Sequence, residues 1–276
     1  MIERRLPPAH VADVAVESLI AELDIAPKPG LVSPVDCGSH ADMDYDLLRR
    51  SAESLRDPFR LIAEAGAAGA GFDDLAQLGI AAEVRMLEAT GGINTHRGAI
   101  FTLGLLVAAA AGRPRLAPCE LRSSITARWG DGLRRHAGEA ATAGSHGAVV
   151  RRRTGAGGAR EEAADGFPSV FDLALPLYRG LRARAVDGAD AAVHVVFALV
   201  AEVADTNLLH RGGADGAAFA REKASGFLVE GGVQVSGWQD RAWAVHREFV
   251  ARNLSAGGAA DLLAATLFVH RATGPA

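Results

Sequence analysis

The chain has little cysteine, few aromatic residues and no long apolar run. Its two cysteines, Cys37 and Cys119, do not form a CxxC pair, so we expect neither a disulfide framework nor a thiolate zinc site. The longest apolar run, Ala99–Ala111, is shorter than the roughly 20 residues that cross a bilayer. The N-terminal segment lacks the apolar centre of a signal peptide. These absences predict a cytoplasmic protein that does not engage a membrane.

An excess of positive charge is also absent. Lys and Arg number 29 against 33 Asp and Glu, which gives a formal net charge of -4. Proteins that bind nucleic acids broadly are usually basic, so we expect no nucleic-acid partner. A local cationic pocket for phosphate groups remains compatible with this balance.

Alanine and helical periodicity, by contrast, are abundant. Apolar residues recur at i, i+3, i+4 and i+7, and few segments alternate with period two. Two runs, Ala99–Ala111 and Ala191–Val203, are apolar all round and are predicted to be buried central helices. Other helices are predicted around Val11–Leu19, Leu47–Leu55, Leu75–Ala89, Val170–Val186, Ala217–Leu228, Trp238–Arg252 and Ala260–His270. We therefore predict an all-α fold: a single multi-helix bundle, one domain over residues 1–276, with a polar cleft formed by inter-helix loops.

Proline and glycine indicate where these helices are interrupted. A break is expected near Pro58, an end at Gly91-Gly92 and a kink at Pro176. The stretch Arg151–Gly158, three arginines before a glycine-rich run, is predicted to be a mobile surface loop.

Five polar, glycine-rich segments differ in character from the alanine-rich helices. They are Pro27–Val32, Asp36–Asp44, Thr90–Phe101, Gly158–Pro168 and Ala204–Gly213. A turn or a helix cap explains any one of them. Together they predict loops that converge on one polar cleft.

The first two segments offer a cation and carboxylates. Two prolines restrict the backbone around Lys28, so a stiff loop would present its ammonium group to a phosphate; a plain turn is the alternative. Asp42 and Asp44 form an Asp-x-Asp pair of hard oxygen ligands that suit Mg²⁺. Asp44 is equally placed to cap the following helix. His40, beside them, is either a ligand or a hydrogen-bonded neighbour.

The third segment runs from a glycine turn straight into a predicted buried helix. Free amides at a helix N-terminus form an anion site, and Arg97 adds a guanidinium fork that suits phosphate. Asn94, Thr95 and His96 precede it and would contact the same anion, or would simply cap the helix. The pattern GxxxxGK[ST] of a Walker A loop is absent from the sequence.

The fifth segment follows the second buried run. Asp205 and Asn207 are predicted at the helix end facing a cavity, and His210 and Arg211 repeat the His-Arg-Gly sequence of residues 96–98. The alternative for this segment is a helix C-cap with glycine.

Glutamates supply further candidates for proton transfer. Glu83 lies on the third predicted helix and either faces water or points into the cleft, where its pKa would rise. Arg160 and Glu162 lie in the fourth segment, for which a solvated charged turn is the alternative.

In chain order, these segments resemble the triphosphoribosyl-dephospho-CoA synthase family. The motifs are PKPGLV at Pro27, SHADMD at Ser39, TGGINTHRGAIF at Thr90, GFP at Gly166, DTNLLHRGG at Asp205 and NLSAGGAADLLA at Asn253. They span nearly the whole chain, and NTHRG and DTNLLHRGG are the most specific. SHADMD and TGGINTHRGAIF look closest to the branch that serves malonate decarboxylase, with the citrate lyase branch as the alternative. The chain departs from the family at Ala256, where proline is usual, and at Glu161, where glycine is usual.

The resemblance implies a helical transferase. ATP and 3′-dephospho-CoA would give 2′-(5″-triphosphoribosyl)-3′-dephospho-CoA and adenine, with help from a divalent cation, Mg²⁺. The product would pass to a prosthetic-group transferase or an acyl carrier protein. Rival interpretations are a magnesium-dependent nucleotide or ribosyl hydrolase and a non-catalytic nucleotide-binding protein.

The expected roles follow from this reaction. The phosphate contacts are Lys28, Arg97 and Arg211, and the metal ligands are Asp42, Asp44 and Asp205. The catalytic candidates are Glu83, Glu162 and His96. The remaining substrate-binding candidates are His40, Asn94, Thr95, Arg160, Asn207 and His210.

Overall fold

The computed structural model describes residues 5–140 and 159–274, and within those ranges every regular element is helical. The α-helices are α1 (Pro8–Leu23), α2 (Tyr45–Ser54), α3 (Arg56–Ala67), α4 (Phe72–Thr90), α5 (Arg97–Ala110), α6 (Pro118–Ala140), α7 (Ala159–Ala164), α8 (Leu175–Ala183), α9 (Gly188–Glu202), α10 (Thr206–Val229), α11 (Trp238–Ala251) and α12 (Gly257–Thr273). A π-helical segment, Ser169–Ala174, precedes α8, and a 3-10 turn, Gly232–Gln234, precedes α11. The all-α prediction is confirmed. The surface loop predicted at residues 151–158 lies outside the described ranges.

Both runs predicted as central helices are central. Helix α5 is buried along nearly its whole length, and α9 is buried from Ala191 to Ala201. Helix α12 joins them in the core, and α1 and α3 pack around α5. Small residues allow the closest approach, since a Cβ added to Gly66 of α3 would lie 2.3 Å from the Ala108 carbonyl oxygen of α5. The alanine-rich composition therefore serves tight helix packing.

Proline and glycine mark the helix ends, but the break predicted near Pro58 lies three residues earlier. Helix α4 ends at Gly91, whose φ of 66° is the left-handed conformation that glycine adopts without strain. The break expected near Pro58 falls at Leu55, and Pro58 lies in the first turn of α3, where its missing N–H is not needed. A kink was predicted at Pro176; the structure places Pro176 in the first turn of α8, directly after the π-helical segment Ser169–Ala174.

Two segments predicted as loops are partly helical. Residues 159–164 of the fourth polar segment form α7. In the fifth segment, α10 begins at Thr206. Its backbone leaves the helical conformation only at Gly213, where φ is 63° and ψ is -161°. The expectation of loops was wrong here because Asp205 starts a helix by accepting the backbone N–H groups of Asn207 and Leu208.

In the described ranges, no individual helix combines the length and apolar composition needed to cross a bilayer. Helices α9 and α10 meet that test only as a pair, and they are bent by 58° relative to each other.

Candidate active site

A cavity of about 330 Å³ opens where the N-terminal ends of α5, α10 and α12 meet the loops around Lys28 and His40. Its lining contains ten of the residues predicted from the sequence: Lys28, His40, Asp42, Asn94, Thr95, His96, Arg97, Asn207, His210 and Arg211. The two His-Arg-Gly sequences thus reach the same cavity, one at the start of α5 and one in the first turns of α10. The partial positive charge of three helix N-termini favours an anion there.

Lys28 lies inside the protein and reaches the cavity from its base. Its side chain is 1% exposed, and Nζ donates to the backbone oxygen and to Oε1 of Glu22, both at 2.7 Å. The loop carrying Lys28 is held from behind by His246, whose Nδ1 lies 2.5 Å from the Lys28 carbonyl oxygen and whose Nε2 lies 3.1 Å from Asp36 Oδ2. The ammonium group is therefore fixed in place, with part of its charge balanced by Glu22.

Arg211 holds the segment of Ser39 and His40 in place at the cavity. Its Nη1 donates to the Ser39 carbonyl at 2.8 Å and to Asn253 Oδ1 at 3.0 Å, and its Nη2 lies 3.1 Å from His40 Nδ1. Because the guanidinium can only donate, His40 Nδ1 accepts and Nε2 carries the proton toward Ser255 Oγ, 2.9 Å away. Burial and the charge of Arg211 lower the pKa of His40, so its imidazole is neutral near pH 7.

His96 is a second neutral imidazole. It is 7% exposed, and its Nδ1 lies 2.8 Å from Ser51 Oγ, which also contacts Thr95 Oγ1 at 2.6 Å. Burial, and then the positive charge of Lys28, lower the pKa of His96 to about 4. His96 can therefore exchange hydrogen bonds with a substrate but carries no charge at neutral pH.

Arg97 and Glu83 pair at the rim of the cavity. Arg97 Nε donates to Glu83 Oε2 at 2.8 Å, across from α5 to α4, and Asn94 Oδ1 accepts the Arg97 backbone N–H at 3.3 Å. Glu83 is 30% exposed and does not itself belong to the cavity lining. Its carboxylate orients Arg97, while the rest of the fork remains open to an anion.

Asp205 lies behind the cavity wall as a cap for two helices. Its Oδ1 accepts the Asn207 backbone N–H at 2.7 Å and that of Leu208 at 3.3 Å, at the start of α10, and its Oδ2 accepts the Ala259 N–H of α12 at 3.0 Å. Both oxygens are occupied by amides. Burial raises its pKa despite these hydrogen bonds. Asp205 is thus placed to join two helix N-termini at the cavity.

Three further candidates lie elsewhere. Asp44 is the N-cap of α2, where Oδ1 accepts the Leu47 N–H at 2.8 Å. Glu162 lies on α7, where Oε1 accepts the Ser169 N–H at 2.7 Å and burial raises its pKa. Arg160 is on the same short helix, and neither it nor Glu162 belongs to the lining of the cavity within the described residues.

Sequence reasoning overlooked two carboxyl groups that the fold places in the cavity. One is Glu22, the partner of Lys28; the other is Asp261, on the first turns of α12. Removal from water and the neighbouring carboxylates of Asp205 and Glu22 raise the pKa of Asp261 well above its usual range. Asp261 belongs to the NLSAGGAADLLA motif, but its helical surroundings gave no signal that it faces a cavity.

Carboxylates that could hold a metal are few. In the ranges that the structure covers, no group of three or more His, Cys, Asp or Glu is arranged around a common point as metal ligands. Among the three predicted metal ligands, Asp42 belongs to the cavity lining: its side chain is 62% exposed and lies 3.7 Å from His40. Mg²⁺ needs only one or two protein carboxylates when substrate phosphates and water fill its other positions, so these residues fit a metal carried by a nucleotide.

Part of the cavity lining is aliphatic. Leu23, Val32 and Leu48 form a small apolar cluster separate from the main core, extended by Met43, and all four line the cavity. A cavity lined by arginines, helix N-termini and an aliphatic cluster suits a ligand that has both anionic groups and an apolar ring.

Known proteins match this chain along almost its whole length. A family model described as ATP:dephospho-CoA triphosphoribosyl transferase matches residues 8–275. The chain belongs to this family.

Three relatives illustrate the match, and each carries the name "Probable 2-(5''-triphosphoribosyl)-3'-dephosphocoenzyme-A synthase". One from Azotobacter vinelandii is 42% identical over 268 residues, which cover 94% of this chain and 90% of its own length. One from Pseudomonas putida is 40% identical over 95% of this chain and 94% of its own length, and one from Stutzerimonas stutzeri is 38% identical over 99% and 96%. No solved structure matches the chain. The resemblance drawn from the motifs is confirmed, and membership of the family makes the chain an enzyme, a transferase.

Proposed function

We propose that the cavity transfers the 5-triphosphoribosyl group of ATP to the 2′-hydroxyl of 3′-dephospho-CoA and releases adenine. The observation that carries this proposal is a cavity whose lining combines cationic and aliphatic groups, in a member of a family whose description names ATP and dephospho-CoA. Its cationic groups match a triphosphate and its aliphatic groups match a purine.

The triphosphate would lie along the helix N-termini. Arg97 at the start of α5 and Arg211 on α10 offer guanidinium groups from two directions, and Lys28 adds charge from the base. Each of these groups is held by a protein partner, so little ordering is required when the substrate binds. Asn94, Thr95, Asn207 and His210 would orient the substrate by hydrogen bonds.

Mg²⁺ would enter with the nucleotide. Asp42 would hold the ion at the cavity mouth. Asp44 and Asp205 could bind it only if they gave up their hydrogen bonds to the backbone N–H groups at the helix starts. The ion would supply charge neutralisation for the phosphate groups.

Cleavage of the glycosidic bond requires stabilisation of positive charge on the ribose and a proton for the departing base. The transition state should resemble an oxocarbenium ion, as in glycoside transfer. Neutral His96 and His40 are suited to orienting hydroxyl groups, since neither carries a charge that would oppose the developing cation. Glu83 would act through Arg97, and Glu162 would act only if α7 moved toward the cavity.

In the cell, the product would serve as the prosthetic-group precursor for the acyl carrier subunit of malonate decarboxylase. The motif likeness of residues 39–44 and 90–101 favours this branch over the citrate lyase branch. We propose further that the chain works in the cytoplasm as a single helical domain and contacts a prosthetic-group transferase or the carrier protein transiently.

Mass spectrometry tests the reaction directly. The protein is incubated with ATP and Mg²⁺, with and without dephospho-CoA, and all nucleotide products are identified. Adenine and the triphosphoribosylated product that form only with dephospho-CoA support the proposal. ADP or AMP would indicate a hydrolase, and ATP binding without turnover would indicate a binding protein.

A matched pair of variants places the reaction in the cavity. Arg211→Gln removes a cavity guanidinium, and Arg221→Gln makes the same change at an exposed position further along α10. We expect Arg211→Gln to lower product formation and Arg221→Gln to leave it unchanged. Equal activity in both variants would remove Arg211 from the proposal.

A further inference from the structure

Asp261 is a carboxyl group at the cavity that nothing in the proposed reaction has yet used. Asp261 is the fifth residue of α12, and it lines the cavity together with Ala260 and Ala264 of the same helix. The start of α5 passes directly against it: a Cβ added to Gly98 would lie 2.0 Å from Asp261 Oδ2. The backbone N–H of Ala99 also faces the carboxyl. Glycine at residue 98 is therefore what allows this carboxyl to lie beside the α5 N-terminus.

The charges near Asp261 set it apart from the other cavity acids. Glu22 has the Lys28 ammonium group at 2.7 Å, and Asp42 is exposed at the mouth. The pKa of Asp261 is affected by the carboxylates of Asp205 and Glu22, and its own carboxyl has no cationic partner among the ion pairs of the described residues. Burial, and then the like charges of Asp205 and Glu22, raise the pKa of Asp261 and favour its protonated form.

We propose that Asp261 is the general acid that gives its proton to the departing purine base. The inference rests on the proposed function. The C1′–N9 bond breaks with its electron pair going to adenine, and the Asp261 proton moves to a ring nitrogen of that base. The C1′–O bond forms to the 2′-hydroxyl of the acceptor, whose proton passes to water. The Asp261 carboxylate regains a proton from solvent before the next turnover.

The competing explanation is that Asp261 only supports the N-terminus of α5. Asp261→Asn separates the two roles, because an asparagine oxygen still accepts from the Ala99 amide while its side chain has no acidic proton to transfer. Asp240→Asn is the matched control: the same change at an exposed aspartate in the first turn of α11, outside the cavity.

The decisive experiment varies the leaving group. ATP methylated at N7 releases a neutral base without receiving a proton, so it bypasses a general acid. With ATP, we expect Asp261→Asn to lower kcat by about 10²- to 10⁴-fold, the usual contribution of proton transfer. With 7-methyl-ATP, we expect the same variant to remain within about 10-fold of wild type, after the uncatalysed rate is subtracted. Asp240→Asn should match wild type with both substrates.

Each other outcome overturns the inference in its own way. Equal losses with both substrates would show that Asp261 supports structure only, and an unchanged rate with ATP would show that it has no role. If wild type releases no adenine in the presence of dephospho-CoA, the proposed function itself fails, and the inference with it. Gly98→Ala serves as the second variant if Asp261→Asn does not fold or does not bind tripolyphosphate. It displaces the carboxyl without replacing it. A loss of kcat with ATP but not with 7-methyl-ATP would again support the inference, and equal losses would overturn it.

Discussion

The contact between Gly98 and Asp261 predicts a substitution that leaves the fold intact and damages the chemistry. In Gly98→Ala the new Cβ would lie 2.0 Å from Asp261 Oδ2, whereas real Cβ atoms essentially never come closer than 3.0 Å. The carboxyl must therefore retreat by about 1 Å and turn from the Ala99 amide. A misplacement of this size can cost about 10²-fold in rate, and we expect that loss in kcat.

Stability should respond very differently. Alanine is favoured over glycine inside helices by up to about 1 kcal/mol, and this gain offsets part of the cost of moving the Asp261 side chain. We expect the free energy of unfolding of Gly98→Ala to stay within about 1 kcal/mol of wild type. Gly104→Ala, in the same helix, is the control, because its Cβ would lie at an ordinary 3.6 Å from Ile62.

The assay measures adenine release at saturating ATP and dephospho-CoA, together with unfolding in urea. Gly104→Ala should keep wild-type turnover and gain stability. The reasoning is refuted if Gly98→Ala turns over at the wild-type rate, or if its activity falls only as far as its folded fraction does.

Three other substitutions test single features of the site. Asp205→Ala removes the carboxylate that caps α10 and α12. At about 1–2 kcal/mol per cap, the free energy of unfolding in urea should fall by about 2–4 kcal/mol. A loss below about 1 kcal/mol would contradict the double cap. For His96, the pKa of about 4 in the folded protein lies below the ordinary 6.5, so below pH 6.5 the unfolded chain binds a proton that the folded protein does not. Stability should therefore fall by about 3 kcal/mol as the pH drops from 6.5 to 4, and His96→Gln should lack that part of the slope; equal slopes contradict it. Arg211→Lys keeps the charge but loses the fork that reaches Ser39 and Asn253, and steady-state kinetics should show the KM for ATP rising about tenfold, with kcat less affected. An unchanged KM would exclude a bidentate role.

The central helices and most of the cavity could be predicted because their signals are local. A run that is apolar all round, such as Ala191–Val203, has no stable place except the core. Lys28, Arg97 and Arg211 lie in loops or at helix starts whose proline, glycine and polar residues differ visibly from the alanine-rich background. Their convergence follows from where the buried helices begin and end.

Features that depend on packing between helices could not be predicted. Asp261 lies within an ordinary helical pattern, and only the approach of α5 at Gly98 reveals that it faces the cavity. Asp205 has the appearance of a metal ligand in sequence, yet the N-terminus of α12, more than 50 residues later, occupies its second oxygen. Helix α6 was not predicted, although Leu121, Ile125 and Trp129 recur at helical spacing and are buried. The many charged residues of this segment make its apolar face hard to recognise in the sequence.

A crystal structure with a non-cleavable ATP analogue and Mg²⁺ tests the central claim most directly, since it locates the nucleotide without relying on turnover. We predict the triphosphate between Arg97 and Arg211, with the purine against the aliphatic lining of the same cavity and within reach of the Asp261 carboxyl. A nucleotide bound elsewhere, for example in the open depression lined by Arg113 and Ser123, would contradict the assignment of this cavity as the active site.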